Sequence, residues 1–169
     1  MIRPGRAADC EDIAAIFNAL LAAGALTDTE NTVSTADRES WLAAHTGSYP
    51  VYVWETDGQV VGWSSLSPFS PRPEDSRLAE IGVYVSHEWQ GQGIGGSLIT
   101  QVLDGIDAGI NTIFAIVFAK NDKSQALFEK RGFERAVCLY EPAILRGKWE
   151  DVLWYNKPVG VRNIGQDHD

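Results

Sequence analysis

The residues best suited to chemistry lie in one stretch, Glu80-Ile81-Gly82-Val83-Tyr84-Val85-Ser86-His87-Glu88-Trp89-Gln90-Gly91-Gln92-Gly93-Ile94-Gly95-Gly96. A β-prone run leads into a turn dense in glycine. Apolar residues four apart (Ile94, Leu98, Val102, Ile106) then open a helix. That order makes an anion cradle. Glycine lets the backbone approach a ligand closely and adopt positive φ. The first amides of a helix have no partners within it, and the helix dipole favours negative charge there. A diphosphate would therefore sit on amides from Gly91 to Gly96 without help from a lysine. Three phosphate patterns compete. A P-loop fails, because no Gly-Lys-Ser/Thr follows. Gly91-Gln92-Gly93-Ile94-Gly95-Gly96 satisfies G-x-G-x-x-G, but that dinucleotide fingerprint belongs to the first βα unit of a parallel sheet. Here it stands mid-chain, after strands that read as antiparallel. The third pattern is Gln90-x-x-Gly93-x-Gly95. Glycines that merely pack a helix on a strand are the plain alternative.

Composition narrows the field. A chain of 169 residues, 44% hydrophobic and 22% charged, is one ordinary globular domain with room for a sizeable core. Fourteen basic and 23 acidic residues give a net charge of −9. Such a chain lacks the basic footprint that nucleic acids and anionic membranes require, although a local basic patch would still serve one anionic ligand. Cys10 and Cys138 make no disulfide framework, and no Cys/His spacing suggests a metal. His45, His87 and His168 are scattered, with solvated or capping roles expected. The start, MIRPGRAADC, has no apolar signal core, and no apolar run reaches membrane-spanning length. A cytoplasmic location is the expectation.

The elements that must position the glycine turn follow from periodicity. Ile2–Arg3 opens a short edge strand. Asp9 to Leu21 carries Ile13, Ile16, Phe17, Leu20 and Leu21, the stripe of an amphipathic helix that ends at Ala23–Gly24. Gly24 to Ser34 reads as a Thr-rich loop. Ser34 or Thr35 caps a second helix to about His45. Val51–Trp54 and Gln59–Leu66 form a hairpin about Asp57-Gly58. Pro68, Pro71 and Pro73 mark an irregular excursion, and Leu78–Val85 is the next strand. The helix from the glycine turn runs to about Asp107. Thr112–Phe118 is a buried strand, and Asp122–Arg131 is a helix stopped by Gly132. Phe133–Tyr140 and Asp151–Asn156 are the last strands. Residues 159–169 read as a flexible tail after a domain spanning 1–158. The order predicts one mixed α/β domain with an antiparallel first half.

The pattern Gln90-x-x-Gly93-x-Gly95 resembles the Q/R-x-x-G-x-G/A motif of the GNAT N-acetyltransferase superfamily. Four further stretches are similar to the phosphinothricin acetyltransferase family within it. Glu80-Ile81-Gly82-Val83-Tyr84-Val85 is similar to that family's E-x-S-V-Y-V strand. Asn121-Asp122-x-Ser124-x-x-Leu127-x-Glu129-x-x-Gly132-Phe133 and Gly147-x-Trp149-x-Asp151-Val152 match its later motifs, and Arg38-x-x-Trp41 its second helix. The resemblance runs from about Ile2 to Pro158.

The resemblance implies a GNAT fold: a mostly antiparallel central sheet flanked by helices and splayed where acetyl-CoA binds. It implies acetyl-CoA as co-substrate. Backbone groups of Val83, Tyr84 and Val85 would pair with the pantetheine amides as an added strand would. Gln90, Gly91, Gln92, Gly93, Ile94, Gly95 and Gly96 would hold the pyrophosphate, and Asn121 would hydrogen-bond pantetheine or serve only as a helix cap. Glu80 would be the general base that deprotonates the acceptor amine, which is mostly protonated near neutral pH. The acceptor would be the amino group of a small amino acid or analogue, held by Arg77 more than Arg72, with Glu30 in a loop that closes over it. Other amines, or an acyl-CoA-binding protein without turnover, are the alternatives. Phe128 departs from the family's His and cannot donate a proton to the leaving thiolate. Tyr84, Tyr140, or water and backbone dipoles would have to serve. A homodimer is also implied, and Trp149, Trp154 and Tyr155 suit an interface.

Overall fold

A computed structural model describes residues 1–26, 31–72, 77–145 and 147–160. The strands are β1 (Ile2–Pro4), β2 (Val51–Thr56), β3 (Gln59–Pro68), β4 (Leu78–Val85), β5 (Thr112–Phe118), β6 (Glu134–Leu145) and β7 (Lys148–Pro158). The helices are α1 (Cys10–Ala22), α2 (Thr35–Ala44), α3 (Ile94–Asp104) and α4 (Asp122–Glu129). One sheet takes all seven strands in the order β1-β2-β3-β4-β5-β7-β6. Every neighbouring pair is antiparallel except β4 and β5, which are parallel. The predicted mixed α/β architecture is the one observed.

Helices cover both faces of this sheet. The α1 stripe buries Ile13, Ile16, Phe17 and Leu21 against Val53 and Trp63, with Trp41 of α2 and Tyr84 at the margin. On the other face Ile99 and Val102 of α3 and Phe128 of α4 pack with Ala79, Ile81, Ile113 and Ala115. Side chains alternate along β4, so this packing divides them. Ile81 and Val83 face α3, while Glu80, Gly82 and Tyr84 face the α1–α2 side.

Two contacts fasten α2 there. Ser34 Oγ accepts the Asp37 N–H at 3.1 Å, and the Asp37 carboxylate accepts the Ser34 N–H at 2.7 Å, a reciprocal cap. The buried guanidinium of Arg38 lies 4.2 Å from the Phe17 ring centroid and 4.9 Å from that of Trp41, clamping α1 to α2.

Sequence and structure part most at the last hairpin. The expected strands stop at Tyr140 and resume at Asp151. Instead β6 and β7 continue to Leu145 and from Lys148. Glu141 takes φ 52°, its N–H donates to Asp151 Oδ1 at 2.9 Å, and the register shifts between Leu139 and Ala143. That bulge on an edge strand accommodates Pro142, which has no N–H to give a ladder. Helices α3 and α4 end at Asp104 and Glu129, short of the expected Asp107 and Arg131. In α3 the cause is Gly105, which closes the last turn onto the Val102 carbonyl.

His45 closes α2 onto β3. Its Nδ1 faces the Trp41 carbonyl at 2.7 Å, so the neutral ring carries its proton there, and Nε2 accepts from Ser67 Oγ at 3.0 Å. Ser67 is the β3 register partner of Glu80. Burial lowers the His45 pKa below the ordinary imidazole value. The unfolded chain therefore binds this proton at higher pH than the folded one. Stability from neutral His45 is complete above the ordinary imidazole pKa and declines as pH falls towards the lower folded value. Urea unfolding at pH 7.5 and 5.5 should show a loss on acidification that shrinks in His45→Gln.

Candidate active site

The β4–β5 ladder has three register pairs, Leu78 with Thr112, Ala79 with Ile113 and Glu80 with Phe114. Beyond them β4 pairs only with β3 and β5 only with β7. The strands part at Glu80 and leave Ile81–Val85 as an open edge inside the sheet. A cleft of about 750 Å³ occupies the gap, running from Leu20 near the end of α1 and Leu26 beyond that helix, past β4 to the first turns of α3 and α4. Glu80 lies on its wall where the pairing stops.

The glycine turn floors one end. Gly91 and Gly93 have φ of 79° and 83°, yet a Cβ at either would meet nothing within 4 Å. Their glycines answer backbone conformation rather than crowding. Gly93 is the N-cap of α3, so the amides after it open into the cleft unspent. At Gly95 the reason is reversed: a Cβ would stand 3.2 Å from Leu127 Cδ2. At Gly96 it would collide with the Arg131 guanidinium, whose Nε donates to the Gly96 carbonyl at 3.1 Å. The bare helix surface thus seats a cation at the cradle. Gln90 Nε2 donates to the Val85 carbonyl at 3.1 Å and ties the turn to the strand.

Of the residues expected to meet the coenzyme, Val83, Tyr84, Val85, Gln90, Gly91, Gly93, Ile94, Gly95, Gly96 and Asn121 line the cleft with Glu80. Gln92 does not; its amide reaches back to the Glu88 carbonyl at 3.4 Å. Asn121 caps α4, its Oδ1 accepting the Ser124 N–H at 3.1 Å, which leaves the amide nitrogen of the same side chain for a ligand. Arg77 and Arg72 lie outside the cleft lining. Arg77 donates to Asn111 Oδ1 at 2.7 Å and crosses from β4 to β5 at their paired end, away from the parting. Glu30 lies outside the described residues. Phe128 is buried against Phe133 with ring centroids 5.2 Å apart, and neither cysteine lines the cleft.

Three basic residues on the cleft wall escaped the sequence reading: Lys123, Lys130 and Arg131, at the two ends of α4. The signal was present as charges flanking the Asn121–Gly132 motif. They form the local basic patch that an acidic chain needs for an anion. Among the described residues no group of three His, Cys, Asp or Glu could hold a metal ion, and no helix is long and apolar enough to cross a membrane.

A parted parallel strand pair over a glycine-capped helix can be compared with known proteins. The model of the acetyltransferase (GNAT) family matches residues 14–133. The chain belongs to the GNAT acetyltransferase family. Among curated relatives it is 31% identical over 163 residues to the L-amino acid N-acyltransferase MnaT of Escherichia coli, covering 95% of each chain. It is 29% identical over 155 residues to an L-methionine sulfoximine/L-methionine sulfone acetyltransferase of Salmonella typhimurium, covering 90% of this chain and 91% of that one. Among solved structures, a phosphinothricin acetyltransferase from Sinorhizobium meliloti in complex with acetyl-CoA aligns with a TM-score of 0.89 at 28% identity. That alignment covers 95% of this chain and 88% of the other. The chain's relatives thus include N-acetyltransferases of the phosphinothricin acetyltransferase-like group.

The glycine turn of this GNAT enzyme sets the N-terminus of α3 beside Lys123, Lys130 and Arg131, an arrangement that favours an anion. Gly93→Ala should cost about 1–2 kcal/mol through φ alone, a fall in Tm of roughly 2–8 °C for a chain of this size. Gly93→Asp should in addition abolish the rise in Tm that acetyl-CoA produces in the wild type, because it brings a carboxylate to the phosphate amides. An undiminished rise in Gly93→Asp would place the phosphates elsewhere.

Proposed function

We propose that this enzyme acetylates the α-amino group of a small amino acid or analogue, by direct attack of the amine on the thioester with Glu80 as general base. The observation that carries the reading is the position of Glu80, on the cleft wall at the last register pair before β4 and β5 part. A thioester held along the open edge of β4 lies next to that carboxylate. The amine must lose a proton to attack, and a carboxylate in direct or one-water reach contributes typically about 10²–10⁴-fold. The relatives named for L-amino acids and for L-methionine sulfoximine support an amino-acid acceptor.

The co-substrate supplies the activated acetyl group; the chain supplies its grip. Backbone groups of Val83, Tyr84 and Val85 take the pantetheine amides, and the amide nitrogen of Asn121 adds one donor. The amides of Gly93 to Gly96, with Lys123, Lys130 and Arg131 on the facing wall, take the phosphates. Gln90 contributes by fixing the turn rather than by contact. Arg77, engaged with Asn111, contributes by tying β4 to β5. A covalent acetyl-enzyme has no support, since no cysteine lines the cleft.

The β6–β7 hairpin supports a homodimer, although not through every aromatic expected there: Tyr155 is wholly buried in the core and Trp154 packs against Phe118 and Val152. Trp149 is 59% exposed and Tyr140 81% exposed, aromatic surface of the kind that forms interface cores. A single species at monomer mass in sedimentation at micromolar concentration would remove this part of the reading.

The main test is Glu80→Gln. It should lower kcat/KM by about 10²-fold near neutral pH and by less at high pH, where the amine is already deprotonated, with acetyl-CoA affinity unchanged. An amino acid should be a better acceptor than its decarboxylated amine. Unchanged rates across pH would overturn the base assignment, and preference for the decarboxylated amine would overturn the acceptor class.

A further inference from the structure

One feature of the cleft is left unused by that reading. The ring of Tyr84 does not stand away from β4 but lies back along it over Gly82. A Cβ at position 82 would meet Tyr84 Cε2 at 2.7 Å and its Oη at 2.9 Å. Real Cβ atoms do not come so close to a neighbour, so the ring takes this place only because residue 82 is glycine. Trp63, the β3 register partner of Tyr84, holds the ring from above, with centroids 3.9 Å apart and planes 20° apart. Trp63 is 1% exposed and Phe17 tilts against the same ring at 5.7 Å, so the arrangement is packed in place.

The consequence is where the hydroxyl ends. Glu80, Gly82 and Tyr84 share one face of the strand. Residues two apart on a strand are about 6.6 Å apart, roughly the length of a tyrosine side chain. The Tyr84 hydroxyl is therefore displaced from its own residue towards Glu80, and it stands over the middle of the open edge Ile81–Val85. All three residues line the cleft. Phe128, on the opposite wall, has no proton to offer, and Tyr140 is exposed on β6 outside the cleft. The geometry points to Tyr84 as the catalytic acid of the transfer, with Gly82 as the residue that admits it.

This inference rests on acetyl transfer at the β4–β5 cleft. The amine nitrogen forms a bond to the acetyl carbon and the carbon–sulfur bond breaks. Its electron pair goes to sulfur, and the Tyr84 hydroxyl gives sulfur the proton that completes free coenzyme A. The amine's proton passes to Glu80 and, through solvent, restores Tyr84, so no further reagent is consumed. A backbone role for Tyr84 in holding pantetheine is unaffected, because the side chain acts on the other face.

The experiment uses Tyr84→Phe, Gly82→Ala and the double variant, each assayed for kcat, for acetyl-CoA affinity by calorimetry and for Tm. Tyr84→Phe keeps the stack on Trp63 and removes only the hydroxyl. It should lower kcat by about 10²-fold while acetyl-CoA affinity stays within about twofold. Gly82→Ala keeps the hydroxyl but displaces the ring. It should show a kcat loss of the same order, and the double variant should be no slower than the worse single, since both remove one function. Tyr84→Phe with kcat within about twofold of wild type would overturn the proposal. So would a fall in affinity matching the fall in kcat, which marks a packing role. The wild-type enzyme and Glu80→Gln run in the same assay separate the two levels. A wild type that binds acetyl-CoA but releases no coenzyme A with any amino acid would defeat the acetyl-transfer reading. Normal wild-type turnover with an unaffected Tyr84→Phe would defeat the Tyr84 assignment alone.

Discussion

Everything functional in this molecule depends on a strand pair that stops pairing. β4 and β5 hold register from Leu78 to Glu80, and then each keeps only its outer neighbour. Backbone amides and carbonyls inside a protein demand partners, so an unpaired edge in mid-sheet is stable only if water or a ligand reaches it. The separation is maintained from both ends. At the closed end Arg77 bonds Asn111, and Asn111 returns its own N–H to the Arg77 carbonyl at 2.8 Å. At the open end the first turns of α3 and α4 converge on the cleft, with Arg131 laid on Gly96. The gap between them is the cleft, and in the proposed function the polar backbone left over by folding is its recognition surface.

Charge follows the same local logic. A net charge of −9 opposes a polyanionic ligand at long range, yet near the glycine turn the relevant charges are helix amides and three cations on α4. Screening over about 10 Å at ordinary ionic strength lets the near field decide. Aromatic packing does a parallel task on the other face. Arg38, Phe17, Trp41 and Trp63 form a packed wall behind Tyr84.

How much of this was legible in the sequence varies with the physics involved. The stripe of α1, the Asp57-Gly58 hairpin and β4 followed from periodicity and turn chemistry, which act over a few residues. The glycine turn was legible too, since Gly91 and Gly93 have φ of 79° and 83°. Other features depend on distant contacts. The extension of β6 past Pro142 needs the Glu141–Asp151 bond, which no local propensity reports. Arg77 reads as an acceptor ligand from its spacing to Glu80, but Asn111, 34 residues on, engages it first. His45 reads as a solvated or capping side chain; it is the C-cap of α2, and only the fold brings Ser67 of β3 beside its ring. Nothing in the sequence marks Gly82, and only the fold reveals the Tyr84 ring lying on it.

Coenzyme binding along the open edge of β4 would show in amide hydrogen exchange with and without acetyl-CoA. New protection is expected only at the amides of Ile81–Val85 that β3 leaves free, and in the first turn of α3 at Gly93–Gly96. The paired amides of Leu78–Glu80 should not change. Tight binding of acetyl-CoA with no added protection in Ile81–Val85 would contradict it.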